Sequence, residues 1–91
     1  MEKLTTYNKN GYGFSLLYRE NDIAIFSGVG KQCGDKTWEI VLIQSHNGKS
    51  IKDTFIPPKE FPPSNNQWGS KGWTAVSEED AWRIFREKNK L

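Results

Sequence analysis

The sequence predicts an α+β fold: an antiparallel sheet of three to five strands, built from hairpins and packed against one C-terminal helix. Three observations lead there. Residues 12–27 hold two short alternating runs separated by Glu20-Asn21-Asp22. Residues 37–45 form a longer β-branched and aromatic run. Residues 77–88 open on a helix-capping serine and carry apolar residues at helical spacing.

The elements follow in chain order. The first ten residues are polar and read either as a flexible arm or as a short strand from Lys3 to Tyr7, ended by the turn signal Asn8-Lys9-Asn10-Gly11. From Tyr12 to Arg19, alternation places Tyr12, Phe14, Leu16 and Tyr18 on one face and Ser15, Leu17 and Arg19 on the other. Glu20-Asn21-Asp22 is a tight turn, because Asn and Asp tolerate positive φ. The chain returns through Ile23 to Ser27, with Ile23 and Ile25 opposite Ala24 and Phe26. Gly28 to Lys36, which includes Gly28, Gly30 and Gly34, reads as a connecting loop.

Thr37 to Ser45 carries the strongest strand signal. The consecutive apolar residues Val41, Leu42 and Ile43 predict a central strand covered on both faces. Asn47-Gly48 then predicts a hairpin turn, with Ser50 to Phe55 returning as an edge strand. Pro57, Pro58, Pro62 and Pro63 interrupt regular structure, and Trp73 to Val76 adds a short strand. Ser77 and Asp80 fit a capping box, and Val76 with Ala81 fits the accompanying hydrophobic staple. Glu78, Glu79 and Asp80 in the first turn, with Arg86, Lys88 and Lys90 near the end, suit the helix dipole. About three turns cannot stand alone in water, so Ala81, Trp82, Ile84 and Phe85 must pack on the sheet.

Composition narrows the class. The 91 residues are read as one domain, 1–91. Only 35% are hydrophobic but 13% are aromatic, so the core must rest on four Trp, five Phe and three Tyr. The net charge is +2 and the basic residues are spread along the chain. The pI of 8.7 lies below the range of dedicated nucleic-acid binders, about 9 and above. One cysteine, Cys33, excludes an intramolecular disulfide and a cysteine-rich zinc site, and an unpaired thiol suits a reducing compartment. No apolar run approaches the ~18–20 residues of a membrane span, and Met1 to Thr6 lacks a signal-peptide core. A cytoplasmic protein with no membrane association is expected.

The chemistry-bearing residues do not assemble into an enzyme. Cys33 and His46 are the sole Cys and His. The predicted strand between them sets them roughly 30 Å apart at about 3.3 Å per residue, too far for a thiolate–imidazole pair. Gly28-Val29-Gly30-Lys31-Gln32-Cys33-Gly34 resembles a phosphate loop superficially. It has Cys33 where both the Walker and the dinucleotide templates need glycine. Acidic residues show no calcium-loop spacing, and Glu78-Glu79-Asp80 is explained by the helix start. No catalytic residue, metal site or cofactor is expected.

The most distinctive segment is Phe61-Pro62-Pro63-Ser64-Asn65-Asn66-Gln67-Trp68-Gly69-Ser70-Lys71-Gly72-Trp73-Thr74, which runs into Ala81 and Phe85 of the helix. With the preceding hairpin and strong strand, it resembles small proteins of phages and bacterial mobile elements. These share a Pro-Ser-Asn turn, a Trp/Phe-Gly pair, Trp-Thr and a final helix. The resemblance runs from about Tyr18 onward and implies the fold without implying an activity.

Two readings of the segment follow. Either it lids one sheet face with Trp68 and Trp73 in the core, or it leaves an aromatic exposed as a protein-binding hot spot. The candidate partner-binding residues are Phe61, Trp68, Lys71 and Trp73. The expected function is a non-enzymatic protein-interaction module; the resemblance narrows this to a phage or mobile-element accessory protein acting on a host complex. The alternative is a single-stranded nucleic-acid-binding sheet that stacks bases on aromatics. A homodimer through the edge strand at Ser50–Phe55 or through the first hairpin is a further expectation.

Overall fold

Two-residue turns set up the sheet. In the computed structural model, which describes residues 3–32 and 34–89, Asn10 and Gly11 both take positive φ between β1 (Thr6–Lys9) and β2 (Tyr12–Glu20). Asn21 does so at the turn into β3 (Ile23–Gly30). β4 (Lys36–Leu42) pairs antiparallel with β3, setting Ile40 opposite Ile25 and Trp38 opposite Ser27. Four short strands follow: β5 (Gln44–His46), β6 (Lys49–Ile51), β7 (Thr54–Ile56) and β8 (Lys59–Phe61). A 3₁₀ turn at Asn65–Gln67 leads to β9 (Gly72–Ala75), which pairs antiparallel with β4, and to the helix α1 (Glu78–Lys88). The fold is α+β: a five-stranded antiparallel sheet in the order β1-β2-β3-β4-β9, packed against one C-terminal helix. The N-terminal segment forms a strand, at Thr6–Lys9 rather than Lys3–Tyr7. The glycine run expected as a loop lies partly in β3, which extends through Gly30.

The helix covers one sheet face. Ile23, Ile25, Ile40 and Ala75 pack with Ala81 and Phe85, flanked by Trp38, Leu42, Trp73 and Trp82. Ser77 caps the helix, its Oγ accepting from the Asp80 N–H at 3.2 Å. The staple does not form: Val76 is 82% exposed while Ala81 is fully buried. The opposite face carries a second cluster of Leu4, Phe14, Ala24, Phe26, Val41 and Ile43, with Tyr7, Tyr12, Leu16 and Trp68 against it.

Strict alternation in β2 fails at a bulge. The register with β3 shifts between Leu16 and Tyr18, as an extra unpaired residue does. Tyr12, Phe14 and Leu16 stay on the helix-free face. Tyr18 is sent to the helix face, where its ring lies 5.2 Å from Trp82 and 5.5 Å from Phe85.

The region after β4 also departs from expectation. Ser50–Phe55 is not an edge strand of the main sheet, and Asn47-Gly48 is not the hairpin turn. The turn is Lys52-Asp53, both at positive φ (45° and 61°), which matches a two-residue primed turn. Pairing runs Ile51 with Thr54, Lys49 with Ile56, His46 with Lys59 and Gln44 with Phe61. One register therefore spans both ladders, and residues 44–61 form a single hairpin arm. Its middle is interrupted where Asn47 and Gly48 face Pro57 and Pro58, because proline has no N–H to donate.

The close packing of the helix-free face depends on missing side chains. Gly28 lies beside Phe14 across the β2–β3 pair, and a Cβ on Gly28 would overlap the Phe14 ring. Gly28→Ala is expected to lower stability by about 1–3 kcal/mol. Gly13→Ala, whose Cβ would meet only the Asn8 Oδ1 at 3.7 Å, is expected to be close to neutral. Urea midpoints of the two variants check the contrast.

Candidate functional site

The arm is rooted by one buried carboxylate. In β8, period-two alternation turns Glu60 inward and leaves Lys59 and Phe61 exposed. Glu60 receives a forked pair of hydrogen bonds from Arg19, Nη1 to Oε1 at 2.6 Å and Nη2 to Oε2 at 2.9 Å. The Leu4 N–H donates to Oε1 at 2.9 Å, and the Lys3 ammonium lies 3.9 Å from Oε2. Arg19 is itself held by the Asn21 carbonyl and the Asp22 carboxylate. The arm, the N-terminal segment and the end of β2 thus meet at Glu60. The Arg19 hydrogen bonds hold the Glu60 carboxyl at about 2, below its ordinary 4.5, against the opposing effect of burial and with help from Leu4 and Lys3. The same contacts raise the Arg19 guanidinium above its usual value.

Beyond this root the arm stands clear of the body. β6 and β7 pack chiefly on each other, and every residue from 50 to 55 is exposed. The radius of gyration is 14.2 Å, against about 12 Å for a compact chain of this length. The tip carries Ile51 at 50% and Phe55 at 63% exposure. The Phe55 ring sits beside Gly48 and Pro58, where a Gly48 Cβ would approach both at 3.1–3.2 Å. The exposed Lys52 and Asp53 form the turn at the tip, and the exposed Lys59 lies nearer the root, paired with His46.

A second polar constellation lies on the helix-free face. Glu39 in β4 is 4% exposed. Its Oε1 accepts from the Tyr7 hydroxyl at 2.6 Å and its Oε2 from the Lys9 ammonium at 3.0 Å. Burial, then the hydrogen bond to Glu39 and its charge, push the Tyr7 phenol above its usual range. The Lys9 ammonium also sits 3.2 Å from the centre of the Trp68 ring. The Trp68 ring lies on Gly72, where any Cβ would overlap it, and its Nε1 donates to the Thr74 hydroxyl at 3.0 Å. An open cleft of about 480 Å³ borders this group, lined by Lys9, Tyr12, Thr37, Glu39, Trp68 and Thr74 among others. Among the described residues no buried side-chain nitrogen or oxygen lacks a partner, and no three His, Cys, Asp or Glu converge as metal ligands would. Among the described residues no helix is long and apolar enough to cross a membrane.

The structure separates the four residues singled out in the sequence. Trp68 and Trp73 lie on opposite faces of the sheet. Trp73 is half-buried beside the helix, donates to the Gly69 carbonyl at 3.1 Å and has the Lys88 ammonium 5.0 Å from its ring. Lys71 is half-buried, and its carbonyl accepts from the Leu42 N–H. Phe61 is 36% exposed at the root of the arm, its ring 6.0 Å from His46. The expectation about Cys33 falls outside the described residues. Sequence reasoning missed Ile51 and Phe55 because Ser50–Phe55 read as part of the main sheet. It also missed the Lys9–Glu39–Trp68 group, although a glutamate inside a strand covered on both faces calls for a buried partner. Comparison with family models, with curated proteins and with solved structures finds no match.

The root makes a pH-dependent contribution. A carboxyl lowered in the folded state stabilises fully above its unfolded value and loses that contribution as the pH falls through the folded one. Glu60 should therefore support the fold above about pH 4.5 and cease to between there and about pH 2. Glu60→Gln is expected to lower stability at neutral pH by about 1.5–3 kcal/mol and to flatten the acid limb of the urea midpoint. An acid limb as steep in the variant as in the wild type would place the sensitivity in other carboxyls.

Proposed function

We propose that this chain is a non-enzymatic protein-interaction module that grips its partner with the hairpin arm at 44–61. The observation carrying this reading is the exposure of Ile51 and Phe55 at the tip of a ribbon that packs chiefly on itself. Large apolar side chains at the end of a projection do nothing for the sheet or its core. Placed in a partner's pocket, they return roughly 25 cal/mol for each Å² of apolar surface removed from water. The exposed charge along the arm, Lys52 and Lys59 against Asp53, suits a partner surface that is apolar with an acidic rim. By strand alternation Phe55 and Phe61 lie on one face of the ribbon and Ile51 on the other, so the arm presents an apolar side chain on each side. The resemblance to phage and mobile-element proteins fits a cytoplasmic accessory protein acting on a host complex.

Base stacking is less well supported. Trp68 is already engaged by Gly72 and Lys9, so a nucleotide base would have to displace one of them. The test uses the double variant Ile51→Asp, Phe55→Asp. Both side chains are exposed, so the melting behaviour should stay within about 0.5 kcal/mol of wild type, while a co-purifying protein partner is lost. A photo-cross-linking residue at Phe55 should trap a protein. A partner retained by the double variant, or a cross-link to nucleic acid alone, would falsify the reading.

A further inference from the structure

The recess between Trp68 and Glu39 has a construction that its role in the core does not require. Its walls are fixed without Lys9. The Trp68 ring is held from behind by Gly72 and at its edge by the Thr74 hydroxyl. The Glu39 carboxylate is held by burial and by the Tyr7 hydroxyl on one oxygen, which leaves the other directed at the ammonium. An aromatic face and a carboxylate converging on one point form a cation site: the ring quadrupole attracts a positive charge within about 6 Å, and the buried carboxylate supplies the countercharge.

The occupant is a flexible side chain on the last residue of β1, a four-residue edge strand, next to the Asn10-Gly11 turn. The cleft of about 480 Å³ opens beside it and gives an entering chain room alongside Lys9. Lys9 and Glu39 are the charged residues lining the cleft, and they match each other at 3.0 Å, so an anion gains nothing there.

We propose that the Trp68–Glu39 recess is a recognition site for a lysine or arginine side chain of another polypeptide, filled in the resting chain by Lys9 as an internal stand-in. An incoming ammonium or guanidinium exchanges with Lys9, which swings into the cleft. Charge is conserved in the exchange, so Glu39 is never left buried and unpaired, the state that would be prohibitive. This site is independent of the hairpin arm and stands whether or not the arm binds a partner.

Lys9→Met removes the stand-in and keeps most of its methylene packing. The probes are n-butylammonium and ethylguanidinium chloride, with sodium chloride at equal ionic strength as the blank, and the readout is the Trp68 indole N–H resonance. Lys9→Met should show saturable binding in the millimolar range. Wild type should bind at least about tenfold more weakly, because tethered Lys9 competes at high effective concentration. Adding Glu39→Gln to Lys9→Met should abolish saturation.

A linear response of Lys9→Met no different from that to sodium chloride overturns the proposal, as does binding that survives loss of Glu39. Should Lys9→Met prove largely unfolded, the same probes decide by mass action. They should raise its melting midpoint more than sodium chloride does, and a midpoint that moves equally with both overturns the site.

Discussion

A sheet buried on both faces needs two covers, and the described residues hold a single α-helix of 11 residues. The helix shelters β3, β4 and β9 on one side. The other side, with Phe14, Phe26, Val41 and Ile43 already committed to it, must be closed by chain with little regular structure of its own. That requirement explains where the irregular parts lie. Leu4 folds in from the N-terminal side, and Glu60 and Trp68 come from the segment after β4. Irregular chain brings unpaired polar groups with it, and burying those is unfavourable unless each finds a partner. Glu60 resolves this for the N-terminal segment by accepting from the Leu4 N–H, and it recruits Arg19 for its own charge.

The hairpin arm is a by-product of the same closure. The chain leaves the sheet after Leu42 and must return at Glu60 to reach Arg19. The pairing of Gln44 with Phe61 brings the two ends of the excursion together. Nothing in the core then limits how far the loop between them extends. Here it extends as a ribbon with its register set at Lys52-Asp53 and preserved through the double proline. A short linker would close the face equally well, so the apolar tip at Ile51 and Phe55 answers to something other than folding.

What the sequence made legible was local, and what it concealed depended on contacts distant in the chain. The hairpin of β2 and β3, the strong strand β4 and the Ser77 cap all follow from a few adjacent residues. Tyr18 changed face because of one inserted residue at Leu17, which no periodicity count distinguishes from ordinary alternation. Asn47-Gly48 is by composition the better hairpin turn, yet Lys52-Asp53 won. A turn at residue 48 would shift the pairing and take Glu60 away from Arg19. The Trp68–Gly72 contact was half visible: two tryptophans across glycines implied close packing, but only the two core clusters show that Trp68 and Trp73 go to opposite faces.

The two buried carboxylates are served by different cations, and the difference matters. Arg19 grips Glu60 through a planar fork with both oxygens engaged and further bonds to Asn21 and Asp22. Such a pair is directional and suits a permanent joint. Lys9 meets Glu39 through one contact, the second oxygen being satisfied by Tyr7, and otherwise rests on a ring face that accepts a cation from many directions. A point charge on a flexible stem loses little by being replaced with another of the same sign. The joint at Glu60 therefore fixes how the helix-free face is closed, and the joint at Glu39 is the one the architecture leaves exchangeable.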